Sequence, residues 1–356
     1  MKRITVKVGS SFFIDSNGNV NVSQIKKLVA EICELKKLGF DVCLVSSGAI
    51  AVGIKKMKLK RKPSATNKKQ ALAAIGQMSL MQVYEQIFDE FDLKCAQILL
   101  SHDDFGNRTR INNLKTTLNA LFDFGVVPVI NENDAVATTE IKVGDNDTLS
   151  AMSSLVTESS LLILVSDVDG LYTANPNVDE NAKLISRVEN IDENIINLSR
   201  GSSGEFGTGG MFTKVRAAQI ATCAGIPMVI TNATKVDKLT EIALGKEIGT
   251  YFCQSKNPQS LKKCWLKFCA NISGQIFVDN GAEVALYARK SLLSCGVTKV
   301  SGEFSAGSVV SVLTEDGKEI ARGSSAFSSS TLKHVLKNKT NSQIIIHANN
   351  VVLTKE

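Results

Sequence analysis

Residues 128–150 read PVINENDAVATTEIKVGDNDTLS. A short apolar run, Val126 to Ile130, breaks off into Asn131-Glu132-Asn133-Asp134, and a second polar cluster, Lys142-Val143-Gly144-Asp145-Asn146-Asp147, follows within a few residues. Glu132, Asp134, Glu140, Asp145 and Asp147 crowd carboxylates beside amides and one lysine. Open α/β sheets bind ligands just beyond the carboxyl ends of their strands. A buried strand ending in this much hydrogen-bonding chemistry therefore predicts the floor of a ligand site.

Outward from that stretch, residues 1 to 254 alternate strand-like and helix-like segments. Strands are expected at Ile4–Val8, Val42–Ser46, Cys95–Leu100, Val126–Ile130, Leu161–Val165 and Met228–Ile230. They are near-continuous apolar runs, as a parallel sheet covered by helices on both faces requires. Helices are expected between them. Ile25, Leu28, Val29, Ile32 and Leu35 recur at helical spacing, with Ser23 as N-cap and Gly39 as stop. Gln70–Phe91, Asn112–Phe122, Thr148–Val156 and Lys214–Ala224 also read as helices. The alternation predicts an α/β domain, doubly wound around a mostly parallel sheet.

The pattern changes after the polar, proline-containing stretch Cys253–Lys263, of which residues 255–263 are read as a linker. Short strands are expected at Trp265–Phe268, Gln275–Val278, Val309–Leu313 and Ile344–His347. Glu315-Asp316-Gly317-Lys318 carries the Asp-Gly signal of a tight hairpin. One helix, Ala282–Leu293, is expected, and Ser324–Ser330 reads as a loop. Residues 264–356 thus form a small, mostly β domain, and a length of 356 residues agrees with two domains.

Composition narrows the chemistry. No apolar run is long enough to span a membrane, and the opening MKRITVKVGSS lacks the apolar core of a signal peptide, so a cytoplasmic protein is expected. Eight cysteines without CxxC spacing and three histidines, His102, His334 and His347, argue against a zinc site and for reduced, buried thiols. From Lys262 onward there are 12 Lys+Arg against 7 Asp+Glu, so most of the net charge of +6 lies in the last quarter. That asymmetry permits an anionic partner.

Several strand ends carry small residues before a helix: Val8-Gly9-Ser10-Ser11, Ser46-Ser47-Gly48-Ala49 and Gly207-Thr208-Gly209-Gly210-Met211-Phe212-Thr213-Lys214. Glycine lets the backbone approach a ligand, and helix N-termini bind anions. The lysine closing the third segment opposes the helix dipole, which a bound anion would explain. The chain has no GxxxxGK[ST] P-loop and no protein-kinase signature set. On residue types alone, Lys7 fits an edge-strand lysine facing solvent, Asp134 and Asp147 fit turn formers or helix caps, and Ser47 fits a small residue for close packing.

VKVGSS, VSSGAIAVG, INENDAVATTEIKVGDNDTLSA, SDVDGLYTANP and GTGGMFTK occur here in the order found in the amino acid kinase family, which the chain resembles throughout. INENDAV and IKVGDND resemble the glutamate 5-kinases within it. VDNGAEVAL, SLLSCGV and VSGEFSAGSVVSV resemble a PUA domain. The resemblance implies an amino-acid-kinase α/β/α sandwich followed by a PUA-like domain, and ATP-dependent phosphorylation of the γ-carboxylate of L-glutamate, the first step of proline synthesis. By motif position it implies that Lys7 and Lys214 meet the transferring phosphoryl group and that Asp147 holds both lysines. It implies that Ser47, Asp134 and Asn146 bind glutamate. ATP would be met by Lys7, Gly9, Ser10, Ser166, Asp167, Thr208, Gly209, Gly210, Met211, Phe212, Thr213 and Lys214, with Mg²⁺ carried on its phosphates and Lys142 adding positive charge. Ser166 stands where threonine is common and Asn175-Pro176 where Asp-Pro is common. His102, near the expected site, is given no catalytic role. Proline as inhibitor and a homo-oligomer, dimer or tetramer, are further implications. RNA is a possible partner of the C-terminal domain, although Trp265 is the only tryptophan and no aromatic platform is visible.

Overall fold

The apolar runs become neighbouring strands. The computed structural model describes residues 2–15, 20–136, 146–176, 178–200, 210–338 and 343–354. The chain divides into two compact units, Met1–Pro258 and Gln259–Glu356. The first contains, in order, β1 (Lys2–Val8), α1 (Val22–Lys37), β2 (Phe40–Val45), α2 (Ala49–Lys56), α3 (Thr66–Glu90), β3 (Cys95–Leu100), α4 (Arg108–Asp123) and β4 (Val127–Glu132). There follow α5 (Asn146–Val156), β5 (Leu161–Ser166), β6 (Arg187–Val188), α6 (Glu193–Arg200), α7 (Met211–Cys223), β7 (Met228–Asn232), α8 (Leu239–Ala243) and β8 (Thr250–Phe252).

These strands form one sheet in the order β3-β4-β2-β1-β5-β7-β8-β6. β1 lies between β2 and β5 and is parallel to both; only the β7–β8 pairing is antiparallel. The strand order turns back on itself at β1, which opens a crevice at the carboxyl ends of β1, β2 and β5. On one face, Ile25, Leu28, Val29, Ile32 and Leu35 of α1 pack with Leu80, Tyr84 and Phe88 of α3 over Ile4, Val6 and Val8 of β1. The helical periodicity read from the sequence is this contact. The N-cap of α1 is Asn21 rather than Ser23: its Oδ1 accepts from the Gln24 N–H at 3.2 Å and from the Ser23 hydroxyl at 2.9 Å. Gly39, at φ +84°, ends the helix as expected.

Helices α2 and α3 form a tight hairpin. A Cβ added at Gly76 would lie 1.8 Å from the Ala49 carbonyl oxygen, and one at Gly53 would lie 2.0 Å from that of Leu72. Both obstacles are backbone, so no rotamer change relieves them. On an open helix, Gly→Ala stabilises by roughly 1 kcal/mol. At this site overpacking reverses the sign, and Gly76→Ala is expected to lower Tm by at least about 5 °C. A calorimetric Tm equal to wild type would show that the two helices part without strain. The same hairpin corrects the charge reading. Residues 42–84 contain no Asp or Glu and eight basic residues, Lys55, Lys56, Lys58, Lys60, Arg61, Lys62, Lys68 and Lys69. The first unit's near-neutral total conceals this basic hairpin, because acidic residues elsewhere balance it.

The second unit contains α9 (Leu261–Phe268), β9 (Gly274–Val278), α10 (Asn280–Tyr287), β10 (Leu292–Leu293), β11 (Val297–Ser301), β12 (Val309–Thr314), β13 (Glu319–Ser324), α11 (Ser329–Asn338), β14 (Ile344–Ile346) and β15 (Val351–Leu353). Its sheets run β11-β9-β12-β13-β15 and β10-β14. Gly317, at φ +85°, closes the β12–β13 hairpin as the Asp-Gly signal predicts. The loop read at Ser324–Ser330 gives way at Ser329 to α11, a helix not expected from the sequence, and two further expectations fail. Trp265–Phe268 lies in α9, which opens inside the expected linker with Ser260 as N-cap and buries Cys264 and Leu266. The helix expected over Ala282–Leu293 starts two residues earlier, capped by Asp279, and ends at Tyr287; Arg289 at φ +60° then turns the chain into β10. The eight cysteines are all free, but only Cys43 and Cys264 are buried. Burial pushes the Cys43 thiol up to about 12, so it stays protonated.

Candidate active site

Lys7 is the penultimate residue of β1, in register with Val45 of β2 and Leu164 of β5. It is therefore flanked on both sides and only 6% exposed, not an edge lysine. A buried ammonium requires a partner. Lys7 Nζ donates to Asp147 Oδ1 at 2.5 Å. Lys214 Nζ, in the first turn of α7, approaches Asp147 Oδ2 at 3.3 Å, and the Thr213 hydroxyl donates to the same oxygen at 2.7 Å. Asp147 is 1% exposed and sits in the first turn of α5, where an acidic residue suits the helix dipole. The helix can sink into the protein because its sequence is rich in small residues, and every residue from Asp147 to Val156 is buried.

The electrostatics follow from this geometry. Burial pushes the Asp147 carboxyl up, but the charges of Lys7 and Lys214 and the hydrogen bonds from Lys7 and Thr213 outweigh it, leaving the group below the usual carboxylate range. Burial holds the Lys7 ammonium below its ordinary value; Asp147 opposes that shift and Lys214 adds to it. Two ammonium groups thus share one carboxylate where the N-terminal turns of α5 and α7 meet. The charge of Lys214 at a helix N-terminus is answered in part within the protein, by Asp147.

A second group lies at the ends of β2 and β4. The Asn146 Nδ2 amide donates to the Ser46 carbonyl at 2.7 Å, the Ser47 hydroxyl at 2.8 Å and Asn131 Oδ1 at 3.0 Å. Asp134, half-buried just after β4, is pushed up to about 6, first by burial and then by Glu132, with Lys62 of the basic hairpin opposing. His102 Nδ1 lies 3.6 Å from Glu132 Oε1. Gly48, at φ +89°, precedes α2, and a Cβ there would meet the Phe13 ring at 2.9 Å. Here glycine is required by both conformation and space.

On the remaining side, the Ser166 hydroxyl at the end of β5 donates to Asp167 Oδ1 at 2.9 Å. Gly210 caps α7, and Met211 and Phe212 open it, with Arg200 stacked 5.5 Å from the Phe212 ring centroid. The Gly9 N–H expected to serve a ligand is engaged by the Val165 carbonyl at 3.3 Å; Ser10 beside it is exposed. Thr208, Gly209 and Lys142 lie outside the described residues. Asn175 lines a cavity of about 580 Å³ with Thr173, Asp179, Asn194, Asn197 and Leu198. Asn131 and Gln77 were not singled out in the sequence. Asn131 stood in the quoted stretch, whereas Gln77 is a polar residue on the buried face of a long helix, and only that mismatch marks it.

The comparisons with known proteins agree with this architecture. The model of the amino acid kinase family matches residues 2–232, and that of the PUA domain matches residues 274–345. A glutamate 5-kinase of Caldanaerobacter subterraneus subsp. tengcongensis is 44% identical over 339 residues, covering 95% of this chain and 91% of that protein. A glutamate 5-kinase of Carboxydothermus hydrogenoformans is 47% identical over 325 residues, covering 91% and 87%. Among solved structures, a Giardia lamblia carbamate kinase bound to AMP-PNP matches with a TM-score of 0.53 and 16% identity over 71% of this chain and 99% of that one, a likeness of fold alone. The parallel sheet turning back at β1, with lysines from β1 and α7 on one buried carboxylate, is accordingly the frame of a kinase, and the chain belongs to the amino acid kinase family with a C-terminal PUA domain.

Proposed function

We propose that this protein transfers the γ-phosphoryl group of ATP to the γ-carboxylate of L-glutamate, giving L-glutamyl 5-phosphate, the first step of proline synthesis. The observation that carries the reading is the pair of buried ammonium groups, Lys7 and Lys214, held on one carboxylate. Relatives named as glutamate 5-kinases, 44% and 47% identical over nearly the whole chain, supply the substrate. The acceptor is ionised near its ordinary pKa of about 4.3, so no general base is required. What opposes reaction is repulsion between two anions, and fixed positive charge removes it. Asp147 orients Lys7 and Lys214 toward the phosphoryl group and takes no part in proton transfer. Ser10, Ser166, Asp167 and residues 208–214 form the nucleotide side. Ser47, Asp134 and Asn146 form the glutamate side, with Asp134 facing the α-ammonium group.

Mg²⁺ fits this donor set only as a companion of ATP. Among the described residues no three His, Cys, Asp or Glu side chains are grouped to hold a metal, and both Asp147 oxygens are already engaged. The ion would ride on phosphates and water and add positive charge there. Proline shares the α-carboxylate and ammonium of glutamate, and we assign its inhibition to the same pocket. A homo-oligomer is proposed and is read by light scattering. RNA binding by the basic C-terminal unit is read by mobility shift and its salt slope. No described helix is long and apolar enough to cross a membrane.

The test is ADP release from Mg-ATP with and without L-glutamate, trapping the acyl phosphate with hydroxylamine. Glutamate-dependent hydroxamate, suppressed by proline, is expected. Turnover with aspartate or acetylglutamate instead would keep the fold and replace the substrate.

Asp134 gives a pH signature. Its folded-state pKa of about 6 lies above the ordinary carboxylate value. Ionisation is therefore penalised in the fold above pH 6, and the penalty disappears below the ordinary value of about 4. Asp134→Asn is expected to raise Tm at pH 7.5 but not at pH 4, and to raise the glutamate KM about tenfold or more by removing a charged partner. In the wild type, that KM should climb as pH falls through 6. A glutamate KM indifferent to both changes would remove Asp134 from the pocket.

A further inference from the structure

A chain of side-chain amides, Asn146, Asn131, Gln77 and Gln97, adjoins the group at the ends of β2 and β4, and its two middle members are buried. Asn131, in β4, is 2% exposed, and Gln77, in α3, is 8% exposed. Asn131 Nδ2 donates to Gln77 Oε1 at 2.7 Å, and Gln77 Nε2 donates to Gln97 Oε1 of β3 at 3.2 Å. Asn131 Oδ1 accepts from Asn146 at 3.0 Å and from the Glu132 N–H at 2.9 Å. Side-chain amides that link two strands and two helices in this way are costly to satisfy only in part.

Backbone groups fix the directions at Asn146 and Asn131, and the Asn131 NH₂ group in turn fixes that at Gln77. The Ser46 carbonyl can only accept, so the Asn146 atom 2.7 Å from it must be the NH₂ group. The Glu132 N–H can only donate, so the Asn131 atom facing it must be oxygen. Flipping Asn146 would set oxygen against oxygen at both Ser46 and Asn131. The two N–H groups of Nδ2 are therefore shared among three acceptors, and no described residue donates to its carbonyl Oδ1. An acceptor left open in this way suits a group rich in N–H donors, and a protonated α-amino group is one.

We infer that Gln77, acting through Asn131, is a positioning residue that locks the Asn146 amide with its oxygen toward the substrate and so makes the site select acceptors carrying a protonated α-amino group. The inference rests on the reading of this pocket as the glutamate site. Gln77 touches no reacting atom; it holds Asn131, which holds Asn146. Without the Gln77 acceptor, the Asn131 amide loses one of the two contacts that set its orientation, and Asn146, still held by the Ser46 carbonyl, loses the firm placement of its Asn131 acceptor.

Gln77→Met keeps side-chain length but removes that acceptor. Gln77→Glu restores it. Gln77→Ser, too short to reach Asn131, serves if the methionine variant does not fold. Each is assayed for kcat, the KM of glutamate and of ATP, and the competitive inhibition constant of glutarate, which lacks the amino group. Gln77→Met, or Gln77→Ser in its place, is expected to raise the glutamate KM about tenfold, the worth of one hydrogen bond. The ATP KM, kcat and the glutarate constant should stay unchanged, and Gln77→Glu should return the glutamate KM to near the wild-type value. An unchanged glutamate KM, a parallel rise in the glutarate constant, or a Gln77→Glu variant no better than Gln77→Met would overturn the inference. Wild-type protein that turns over no glutamate would instead overturn the pocket assignment beneath it, an outcome visible before any variant is made.

Discussion

Lys214→Ala is expected to lower kcat by at least about 10²-fold, the scale of a lost transition-state donor, with the chain still folded. The fold should survive because Asp147 keeps two partners, Lys7 at 2.5 Å and the Thr213 hydroxyl at 2.7 Å. The carboxylate is not orphaned, so the heavy penalty for an unpaired buried charge does not arise. Activity should fall because charge moves onto the transferring phosphoryl group as reaction proceeds, and a buried ammonium stabilises that charge far better than one in water. Lys214→Arg is no substitute. Its planar fork is longer and cannot occupy a site that leaves 8% of the lysine side chain exposed, so only partial recovery is expected. Steady-state kcat from the hydroxamate assay, alongside Tm, decides the matter. A folded Lys214→Ala variant with near-wild-type kcat would take this residue out of the mechanism.

The parts of this design most legible in the sequence are those carried by periodicity or by clustered polarity. The strands β1, β2, β4 and β5 were visible because burial on both faces leaves uninterrupted apolar runs. Asn146 and Asp147 were visible because polar residues seldom crowd so closely after such a run. Less legible was anything set by tertiary contact. Trp265–Phe268 looks like a strand because it is short and apolar, yet Cys264 and Leu266 face a core and Ser260 caps a helix. The helix expected after Ser46-Ser47-Gly48-Ala49 is α2, but its close packing on α3 is not legible in the sequence, since it depends on Gly53 and Gly76 letting two backbones meet. Gln77 was hidden for a similar reason: its meaning lies in Asn131, 54 positions away in the chain. The basic hairpin is invisible in the net charge of the first unit, because acidic residues outside 42–84 cancel it.

Asp147→Asn should cost the fold about 3–4 kcal/mol at neutral pH, since it strips the charge from a carboxylate that holds two buried ammonium groups. The substitution is almost isosteric, so packing is not the cause. An upper limit follows from Lys7. With its partner neutral, Lys7 can give up its proton instead of remaining charged. From an ordinary value of 10.5 to pH 7.5 that costs about 4 kcal/mol, at 1.36 kcal/mol per unit. Repulsion beyond this figure is relieved by deprotonation. Two pH trends then identify the mechanism. In the wild type, the folded-state pKa of Asp147 is depressed, so its contribution is fully present above the unfolded value near about 4 and is lost as pH falls through the folded one. In the variant, a Lys7 that is neutral when folded and charged when unfolded gains stability as pH rises toward its unfolded value of about 10.5. The difference between the two proteins should therefore be greatest near neutrality and shrink at both ends. Urea unfolding at pH 2.5, 7.5 and 9.5 measures it. Adding Lys7→Met to Asp147→Asn should recover part of the loss, because one of the two uncompensated charges goes with it. A deficit that stays constant with pH, and that the second substitution does not reduce, would mean that Asp147 matters for its shape rather than for the charge it places between two lysines.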